Sequence, residues 1–381
     1  MKPLASHSNV HTWLCEPMPS DVRKSICRLA ESDDVRRVAV MPDVHLAADV
    51  CIGTIVATSH LIYPSAIGGD IGCGMAAVRF EAAADLLESE AAAARLLAGL
   101  YQLVPTNRHS TATMPRALPE DLDQSRLSDR RLEKLKQRDG RVQFGTLGRG
   151  NHFLEFQADQ QNRLWLMVHS GSRAMGQAIT AHHLARAAAG SRGLKCLDSE
   201  TEDGAAYLND VYWALHYAEQ NRLAMVAAVA GLIRDQFGAE PGWQTLIHGH
   251  HNHVRQEQHF GESLWIHRKG AQSARTDEPG IIPGSMGTAS FHVSGRGCAP
   301  SLCSSSHGAG RKLSRGQARQ QISTRQLRRQ MQSVWFDHRS AAALRDEAPG
   351  AYKDIHAVMR AQNSLIRIDR QLRPLLSYKG R

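Results

Sequence analysis

The stretch "PSAIGGDIGCGMAAVRF", residues 64–80, contains four glycines, an aspartate and a cysteine, and it shows no hydrophobic periodicity. Glycine loses more conformational entropy on folding than any other residue, so this many glycines together indicate backbone shapes that other residues avoid. A turn of this kind can direct Asp70 and Cys73, three residues apart, at the same ion. The stretch therefore predicts a metal-binding loop, and the alternative is a tight turn that buries a thiol.

Length and composition place this loop in a globular protein. The chain has 381 residues, of which 42% are hydrophobic, and this suits a soluble protein with a buried core. Residues 1–19 lack the apolar core of a signal peptide, and no apolar run is long enough to cross a membrane. Its seven cysteines are scattered, with no C-x-x-C pair. This usage predicts a cytoplasmic protein without a disulfide framework.

The positive charge indicates a polyanionic partner. The net charge is +9, and residues 311–339 contain eight lysines and arginines against a single acid, Asp337. Arginine predominates there, and its planar guanidinium matches the geometry of phosphate. The alternative is a solvated helical face that serves only solubility.

The order of apolar and polar runs predicts a single mixed domain. Strands are expected at 35–45, with a turn at Pro42, and in two further apolar runs, and two strands are expected to flank 250–270. Helices are expected where leucine and alanine recur at helical spacing. Residues 105–142 are polar and charged, which is typical of a surface insertion with helical pieces. No linker or repeat divides the chain, so we expect one α+β domain over 1–381, with metal-binding loops that converge on a central cleft. The further strands and the helices are expected at 51–64, 163–173, 82–103, 174–190 and 205–238.

Histidines in small-residue loops extend the candidate metal site. The chain has twenty histidines. Each one alone is more often structural, but several next to glycine, serine or asparagine indicate loops that meet at one site. With the carboxylate and the thiolate, three imidazoles form a ligand set that zinc, iron, cobalt or manganese accepts, with zinc favoured by ligand type. The candidates are His45, Asp70, Cys73, His152, His169, His251 and His307.

No standard nucleotide motif is present. Neither G-x-x-x-x-G-K-[ST] nor G-x-G-x-x-G occurs after a strand. The stretches "GTLGRGN" (145–151) and "HGAGR" (307–311) could still present backbone N–H groups to an anion. The stretch "GIIPGSMGTASF" (280–291) offers small hydroxyl groups and room for a flat ligand.

Ten stretches between residues 41 and 380 occur in an order that resembles the RtcB family of GTP-dependent RNA ligases. The resemblance covers nearly the whole chain and adds an RtcB-like fold to the expectation of one domain. The matching stretches are "MPDVH", "GGDIGCGM", "GRGNHFLE", "HSGSR", "HHN", "HRKGA", "GIIPGSMGT", "SHGAGR", "EAPGAYKDI" and "YKG".

This resemblance implies the chemistry. Family members join RNA ends that carry a 2′,3′-cyclic phosphate or a 3′-phosphate to ends that carry a 5′-hydroxyl. A histidine first accepts GMP from GTP, the guanylyl group then activates the RNA 3′-phosphate, and the 5′-hydroxyl expels GMP. Two manganese ions support these steps, so the family implies manganese where ligand type favours zinc. The resemblance implies RNA and GTP as partners, in tRNA splicing or in the repair of broken tRNA or rRNA.

The resemblance also implies roles for single residues. His307 is the nucleophile that is guanylylated, and Asp43 belongs to the metal region. The metal ligands are Asp70, Cys73, His152, His169 and His251. The RNA or nucleotide phosphates are held by Arg173, Lys269, Arg311 and Arg315. The nucleotide is bound by Asn151, Glu155, Ser285, Ser290, His307, Gly308, Ala309, Gly310, Tyr352 and Lys379, of which Tyr352 stacks on the base.

Two other functions remain open at this point. One is a metal-dependent RNA phosphoesterase that opens cyclic phosphates without ligation, and the other is an inactive RNA-binding protein that uses residues 311–339. Only the ligase needs His307 and a guanine pocket. We expect no membrane partner, an activating protein as an open option, and a monomer or weak homo-oligomer.

Overall fold

The computed structural model describes residues 8–380, so the predicted domain 1–381 extends outside the described residues at both ends, as does the start of the 1–19 segment. The described strands are β1 (Val10–Thr12), β2 (Val35–His45), β3 (Ile52–Thr58), β4 (Leu61–Ile62), β5 (Gly74–Ala83), β6 (Phe153–Asp159), β7 (Arg163–Ser170), β8 (Ala188–Ala189), β9 (Lys195–Asp198), β10 (Pro241–His250), β11 (Asn252–His259), β12 (Glu262–Lys269), β13 (Ala271–Ser273), β14 (Pro279–Ile282), β15 (Ser290–Gly295), β16 (Ser304–Ser306) and β17 (Ile366–Lys379). The described α-helices are α1 (Ser20–Ala30), α2 (Glu90–Leu103), α3 (Glu120–Gln124), α4 (Arg130–Leu135), α5 (Arg141–Gln143), α6 (Arg173–Leu184), α7 (Glu202–Phe237), α8 (Arg315–Gln321), α9 (Thr324–Gln330) and α10 (Ile355–Ala361).

A seven-stranded antiparallel sheet forms the centre of the molecule, in the order β10-β5-β7-β6-β17-β15-β14. Neighbouring antiparallel strands run in opposite directions, so the start of β5 lies beside the ends of β7 and β10. In the register, Gly74 pairs with both Ser170 and His250, and Phe153 pairs with His169. One edge of the sheet therefore collects residues from distant parts of the chain.

A five-stranded sheet, in the order β1-β2-β3-β12-β11, lies beside this edge and corrects one prediction. The chain does not turn at Pro42, because β2 continues from Val35 to His45. Proline lacks the N–H of a ladder hydrogen bond and is tolerated at irregular positions of a sheet. Pro42 lies where the register between β2 and β3 shifts, between Val40 and His45. The irregular strand places Asp43 and His45 at the candidate site.

The long helix α7 supports the sheet from one face. The predicted helix over 205–238 is confirmed, and its first turn is capped by Thr201, whose Oγ1 accepts from the backbone N–H of Gly204 at 3.2 Å. It ends at Gly238 in the left-handed conformation, φ 68°, which is the common glycine cap of a helix C-terminus. Its 36 residues span about 54 Å. Its buried face includes Val226 and Val229, which pack in one hydrophobic cluster with residues of β5, β6 and β7.

Two of the predicted helices have different limits. The helix expected over 82–103 starts only at Glu90, because β5 continues to Ala83 and the Ser89 hydroxyl caps α2 by accepting from the backbone N–H of Ala92. The helix expected over 174–190 ends at Leu184, and the chain then forms the short strand β8. The segment 250–270 is itself a hairpin of β11 and β12, in addition to the strands β10 and β13 that flank it.

The segment 105–142 contains the predicted helical pieces, but it is not confined to the surface. Leu118, Leu122, Leu127 and Leu132 are buried in a cluster with residues of α6 and α7. The indole Nε1 of Trp213 in α7 donates to the Leu122 carbonyl at 3.0 Å. The apolar side chains that recur in this polar segment therefore cover the far side of the long helix. Among residues 8–380, the helices all fall short of the length and apolar character that a bilayer crossing requires.

Candidate metal and nucleotide site

The Cys73 sulfur is the meeting point of two groups of potential metal ligands. The first, here called the imidazole group, contains Cys73, His169 and His251, and the second, the carboxylate group, contains Asp70, Cys73 and His152. Within each group the candidate ligand atoms all lie within 4.8 Å of one another. The structure thus brings together all five residues that the sequence predicts as ligands.

Short contacts define the geometry of both groups. In the imidazole group, His169 Nε2 lies 3.2 Å from the Cys73 Sγ and 3.2 Å from His251 Nε2. In the carboxylate group, His152 Nε2 lies 2.8 Å from Asp70 Oδ2 and 3.5 Å from the same sulfur. Ligands held about 2.0–2.3 Å from one ion are separated by similar distances, so both groups have the dimensions of a metal site.

The edge of the seven-stranded sheet explains why these residues converge. Cys73 directly precedes β5, His152 directly precedes β6, and His169 is the last residue but one of β7. His251 directly follows β10. Since these strands are antiparallel neighbours, their relevant ends meet. The loop that opened the sequence analysis therefore supplies one strand end of a site that four strands build together.

Two glycines make the close approach possible. Gly72 has φ +75°, and a Cβ there would lie 2.8 Å from the Cβ of Ala218 in α7. A Cβ on Gly171 would lie 2.2 Å from Asp70 Oδ1. Any larger residue at either position would displace the loop or the carboxylate, so the glycines are required by both conformation and space.

Electrostatics and unpaired atoms fit a bound cation. Burial lowers the pKa of His169 and of His251 well below the ordinary value, so both imidazoles are neutral, as metal ligands must be. Burial, followed by the Asp70 carboxylate, raises the pKa of the Cys73 thiol well above its ordinary value. Asp70 Oδ1 and His152 Nδ1 are buried without a hydrogen-bond partner among the described residues. Buried polar atoms are normally paired, so Asp70 Oδ1 is available to an ion.

His307 lies beside the imidazole group and is oriented by Asp43. The ring centroids of His251 and His307 are 4.7 Å apart. His307 Nδ1 lies 2.7 Å from Asp43 Oδ2, and the Asp43 side chain is completely buried. A carboxylate only accepts, so Nδ1 carries the proton and Nε2 keeps its lone pair. His45 is held nearby by a contact of 2.9 Å between its Nδ1 and the Asp43 carbonyl.

A cavity of about 250 Å³ opens beside His307. His169 also lines this cavity, which connects it to the metal groups. Its floor lies between the ends of β6 and β17 and the loop that precedes β15. The cavity is lined by every residue that the resemblance assigns to the nucleotide: Asn151, Glu155, Ser285, Ser290, His307, Gly308, Ala309, Gly310, Tyr352 and Lys379.

Two buried carboxylates at this cavity have opposite environments. Burial raises the pKa of Glu155 to about 8, against the smaller opposing effects of the Gln157 amide and the Lys379 ammonium. Burial also acts on Glu347, but Lys379 and Arg315 outweigh it and hold the pKa of Glu347 below its ordinary value. Lys379 Nζ donates to Glu347 at 2.6 Å, and the Tyr352 hydroxyl donates to it at 2.7 Å. Glu347 thus fixes both side chains at the cavity wall.

The four basic residues predicted to hold phosphates are in different environments. Arg311 and Arg315 line the cavity and pair with Glu347 at 3.2 and 3.0 Å. Arg173 lies beside the carboxylate group, where its guanidinium donates to Thr146 and to the Thr106 carbonyl.

Lys269 does not line this cavity. Its buried ammonium donates to the carbonyls of Ala48, Val50 and Ser65 at 2.7–3.3 Å. Burial also lowers the pKa of Lys269 to about 8. All three of its donors are therefore used to brace two loops, and it presents none to a phosphate.

Sequence reasoning missed three buried polar residues of the site. Glu347 begins the stretch "EAPGAYKDI", so the motif contained it without assigning it a role. Asn221 and Arg222 lie in α7, and both side chains are buried. Asn221 accepts from the Gly145 backbone N–H at 2.7 Å and so holds the loop that leads to β6. Two adjacent polar residues inside an apolar helix were the available signal.

Comparisons with known proteins agree with this geometry. A family model described as "tRNA-splicing ligase RtcB" matches residues 26–380. The RNA-splicing ligase RtcB of Escherichia coli K12 is 37% identical over 96% of this chain and 95% of its own length. The RNA-splicing ligase RtcB of Mycobacterium tuberculosis is 29% identical over 91% of this chain and 97% of its own length. The RNA-splicing ligase RtcB2 of an Escherichia coli strain is 29% identical over 92% and 90%, respectively.

Proposed function

The chain belongs to the RtcB family, and from this we propose that it is a GTP-dependent RNA ligase acting through a guanylyl-histidine. It joins RNA ends bearing a 2′,3′-cyclic phosphate or 3′-phosphate to 5′-hydroxyl ends. The observation that carries the proposal is His307, oriented by a buried carboxylate, in one cavity with the predicted nucleotide residues and next to a shared-thiolate metal site. Family membership favours ligation over hydrolysis of a cyclic phosphate alone.

In this proposal His307 is the nucleophile. Its Nε2 attacks the α-phosphorus of GTP, so that an N–P bond forms and the bond to the β-phosphate oxygen breaks, releasing pyrophosphate. Asp43 keeps the proton on Nδ1 and stabilises the positive charge that develops on the ring. The RNA 3′-phosphate then takes the guanylyl group from His307, and the 5′-hydroxyl finally attacks the RNA phosphorus and expels GMP.

The residues present fit two divalent ions that share one sulfur. The imidazole group would hold one ion and the carboxylate group the other, with Cys73 as the common ligand. Bound there, two cations neutralise charge on phosphoryl oxygens and lower the pKa of an attacking group. The donor types are mixed in softness and leave several metals open, and the family implies manganese.

The cavity supports guanosine as the ligand. Guanine presents an N–H and an amino group on one edge, and a buried carboxylate such as Glu155 accepts from both once it is ionised. Tyr352 offers a ring for stacking, and Lys379 lies opposite, with its Nζ 5.2 Å from the ring centroid of Phe153. Ser285 and Ser290 add hydroxyl groups at the same wall. Together they would select a purine with guanine's donor pattern.

Transfer of label from GTP to the protein tests the proposal. Purified protein is mixed with α-labelled GTP and manganese, and we expect an acid-labile label on the wild-type chain. The label disappears in His307→Ala. His45→Ala is the matched control, because His45 lines the same cavity but is not the proposed nucleophile. Label that persists in His307→Ala and is lost in His45→Ala would contradict the assignment.

A labelled RNA separates ligation from hydrolysis. The substrate carries a 2′,3′-cyclic phosphate on one strand and a 5′-hydroxyl on the other. We expect a joined product with GTP and manganese, and none with His307→Ala. Opening of the cyclic phosphate without joining, together with no protein label under any divalent metal, would favour the phosphoesterase instead.

A further inference from the structure

A buried arginine lies behind the metal groups and is not used in the mechanism above. Arg222 projects from α7, and its side chain is fully buried. Its Nη1 donates to two backbone carbonyls, those of Gly72 and Ser170, each at 2.8 Å. Its other nitrogens contact His248 Nε2 at 2.9–3.0 Å and His250 Nδ1 at 3.1 Å. One guanidinium therefore joins three separate segments to one helix.

Three of these contacts fall on residues directly next to a proposed ligand. Gly72 precedes Cys73, and Ser170 follows His169. His250 precedes His251 in the same way. All three members of the imidazole group are thus fixed at their neighbouring residue.

The shape of the arginine side chain suits this arrangement. A guanidinium offers five N–H donors in a rigid plane, whereas a lysine offers one compact ammonium on a flexible stem. The helix side is equally fixed, because the Gly72 turn packs directly on Ala218 of α7. Asn221, the preceding residue, donates to Ser170 Oγ at 3.2 Å and so ties the end of β7 to the same helix.

We propose that Arg222 is a positioning residue for the metal site, which sets the spacing of Cys73, His169 and His251 by holding their neighbours on α7. The inference rests on the proposed metal centre and names a residue that acts on it without touching an ion. The competing role is a purely structural one, in which Arg222 only stabilises the fold.

The charge of Arg222 acts in the same direction as its geometry. Burial lowers the pKa of Arg222 to about 10, so the group stays cationic at neutral pH. Burial and the Asp70 carboxylate raise the pKa of the Cys73 thiol, and the Arg222 cation opposes them. The same cation and burial keep His248 and His250 neutral, which leaves their ring nitrogens able to accept from it.

Cobalt binding tests the inference without turnover. Cobalt(II) is titrated into metal-free protein, and the thiolate-to-cobalt absorption band reports on Cys73 ligation. We expect Arg222→Met to weaken cobalt affinity by about 10- to 100-fold, the usual effect of losing a residue that orients ligands. The control is Arg268→Met, which removes another fully buried arginine whose partners Glu257, Leu302 and Ser304 are not next to a ligand. It should lower thermal stability but keep the cobalt affinity.

Arg222→Lys keeps the test decisive if Arg222→Met does not fold. Lysine preserves the charge but cannot hold both carbonyls and both imidazoles, so we expect weaker cobalt binding and a changed spectrum. Wild-type affinity and spectrum in Arg222→Lys, or in a folded Arg222→Met, would overturn the inference. If the wild-type chain bound no cobalt, the metal centre of the proposed function would fail instead, so the two failures are distinguishable.

Discussion

Replacing Asp43 by asparagine tests how the nucleophile is prepared. The change removes the charge of a completely buried carboxylate while keeping its shape. The lost interaction is the 2.7 Å hydrogen bond from His307 Nδ1 to Asp43 Oδ2. We expect Asp43→Asn to slow guanylylation while leaving metal binding intact, because Asp43 belongs to neither ligand group.

The structure sets the size of this effect. A hydrogen bond to a charged group contributes roughly 1.5–3 kcal/mol, and about 1.4 kcal/mol corresponds to a tenfold rate, so the rate should fall about 10- to 150-fold. Asparagine has no good orientation here. Its NH₂ group either faces His307 and forces the proton onto Nε2, or takes the place of Asp43 Oδ1, which has no partner among the described residues. The Gly53 backbone also leaves no room for the amide to move, since a Cβ there would lie 2.9 Å from that oxygen.

The assay is the single-turnover rate of label transfer from α-labelled GTP at saturating manganese. Asp49→Asn is the matched control, because Asp49 is an exposed aspartate on the loop that follows the same strand. It should react at the wild-type rate. Asp43→Asn that reacts as fast as wild type, with unchanged cobalt binding, would refute the proposed role of the carboxylate.

The other predictions concern metal, pH and RNA. Asp70→Ala and His251→Ala should each reduce bound manganese from two equivalents to one in equilibrium dialysis, since each removes a ligand from only one group; loss of both ions in either variant would count against independent groups. Because burial raises the pKa of Glu155 from 4.5 to about 8, the nucleotide-free fold keeps a proton that the unfolded chain loses, and stability should fall as pH rises between these values, by at most about 1.4 kcal/mol per pH unit. Glu155→Gln should remove this slope, so its melting temperature should exceed that of wild type at pH 8 more than at pH 5; a difference independent of pH would argue against it. Arg315→Ala should lower the slope of log affinity for RNA against log salt by about 1, whereas the exposed Arg339→Ala should leave it unchanged.

The sequence predicted the chemistry of the site better than its supports. The glycine-rich turn at Asp70 and Cys73 and the histidines in small-residue loops carry their signal locally, since each motif lies at a strand end. Which strand ends meet depends on sheet order, and no local pattern specifies that β5 lies between β7 and β10. The resemblance to a family, rather than spacing, assigned the roles.

Residues that act through buried pairing were hidden from pattern reading. Arginines of the 311–339 segment were read as a basic surface, but Arg311 and Arg315 pair with acids from the next segment, Asp346 and Glu347. Proline at 42 indicated a turn, and the strand continued because the register shift there needs no hydrogen bond from it. In both cases the partner that decides the outcome is distant in sequence.

The distribution of the ligands along the chain has a consequence for how the protein matures. Asp70 and His251 are separated by nearly half of the 381 residues, and they meet only when strands on both sides of α7 have paired. A cation therefore cannot nucleate this fold as it does in small zinc-dependent modules, where the ligands are close in sequence. Loading has to follow folding, so metal content becomes a reporter of chains that have completed their long-range pairing.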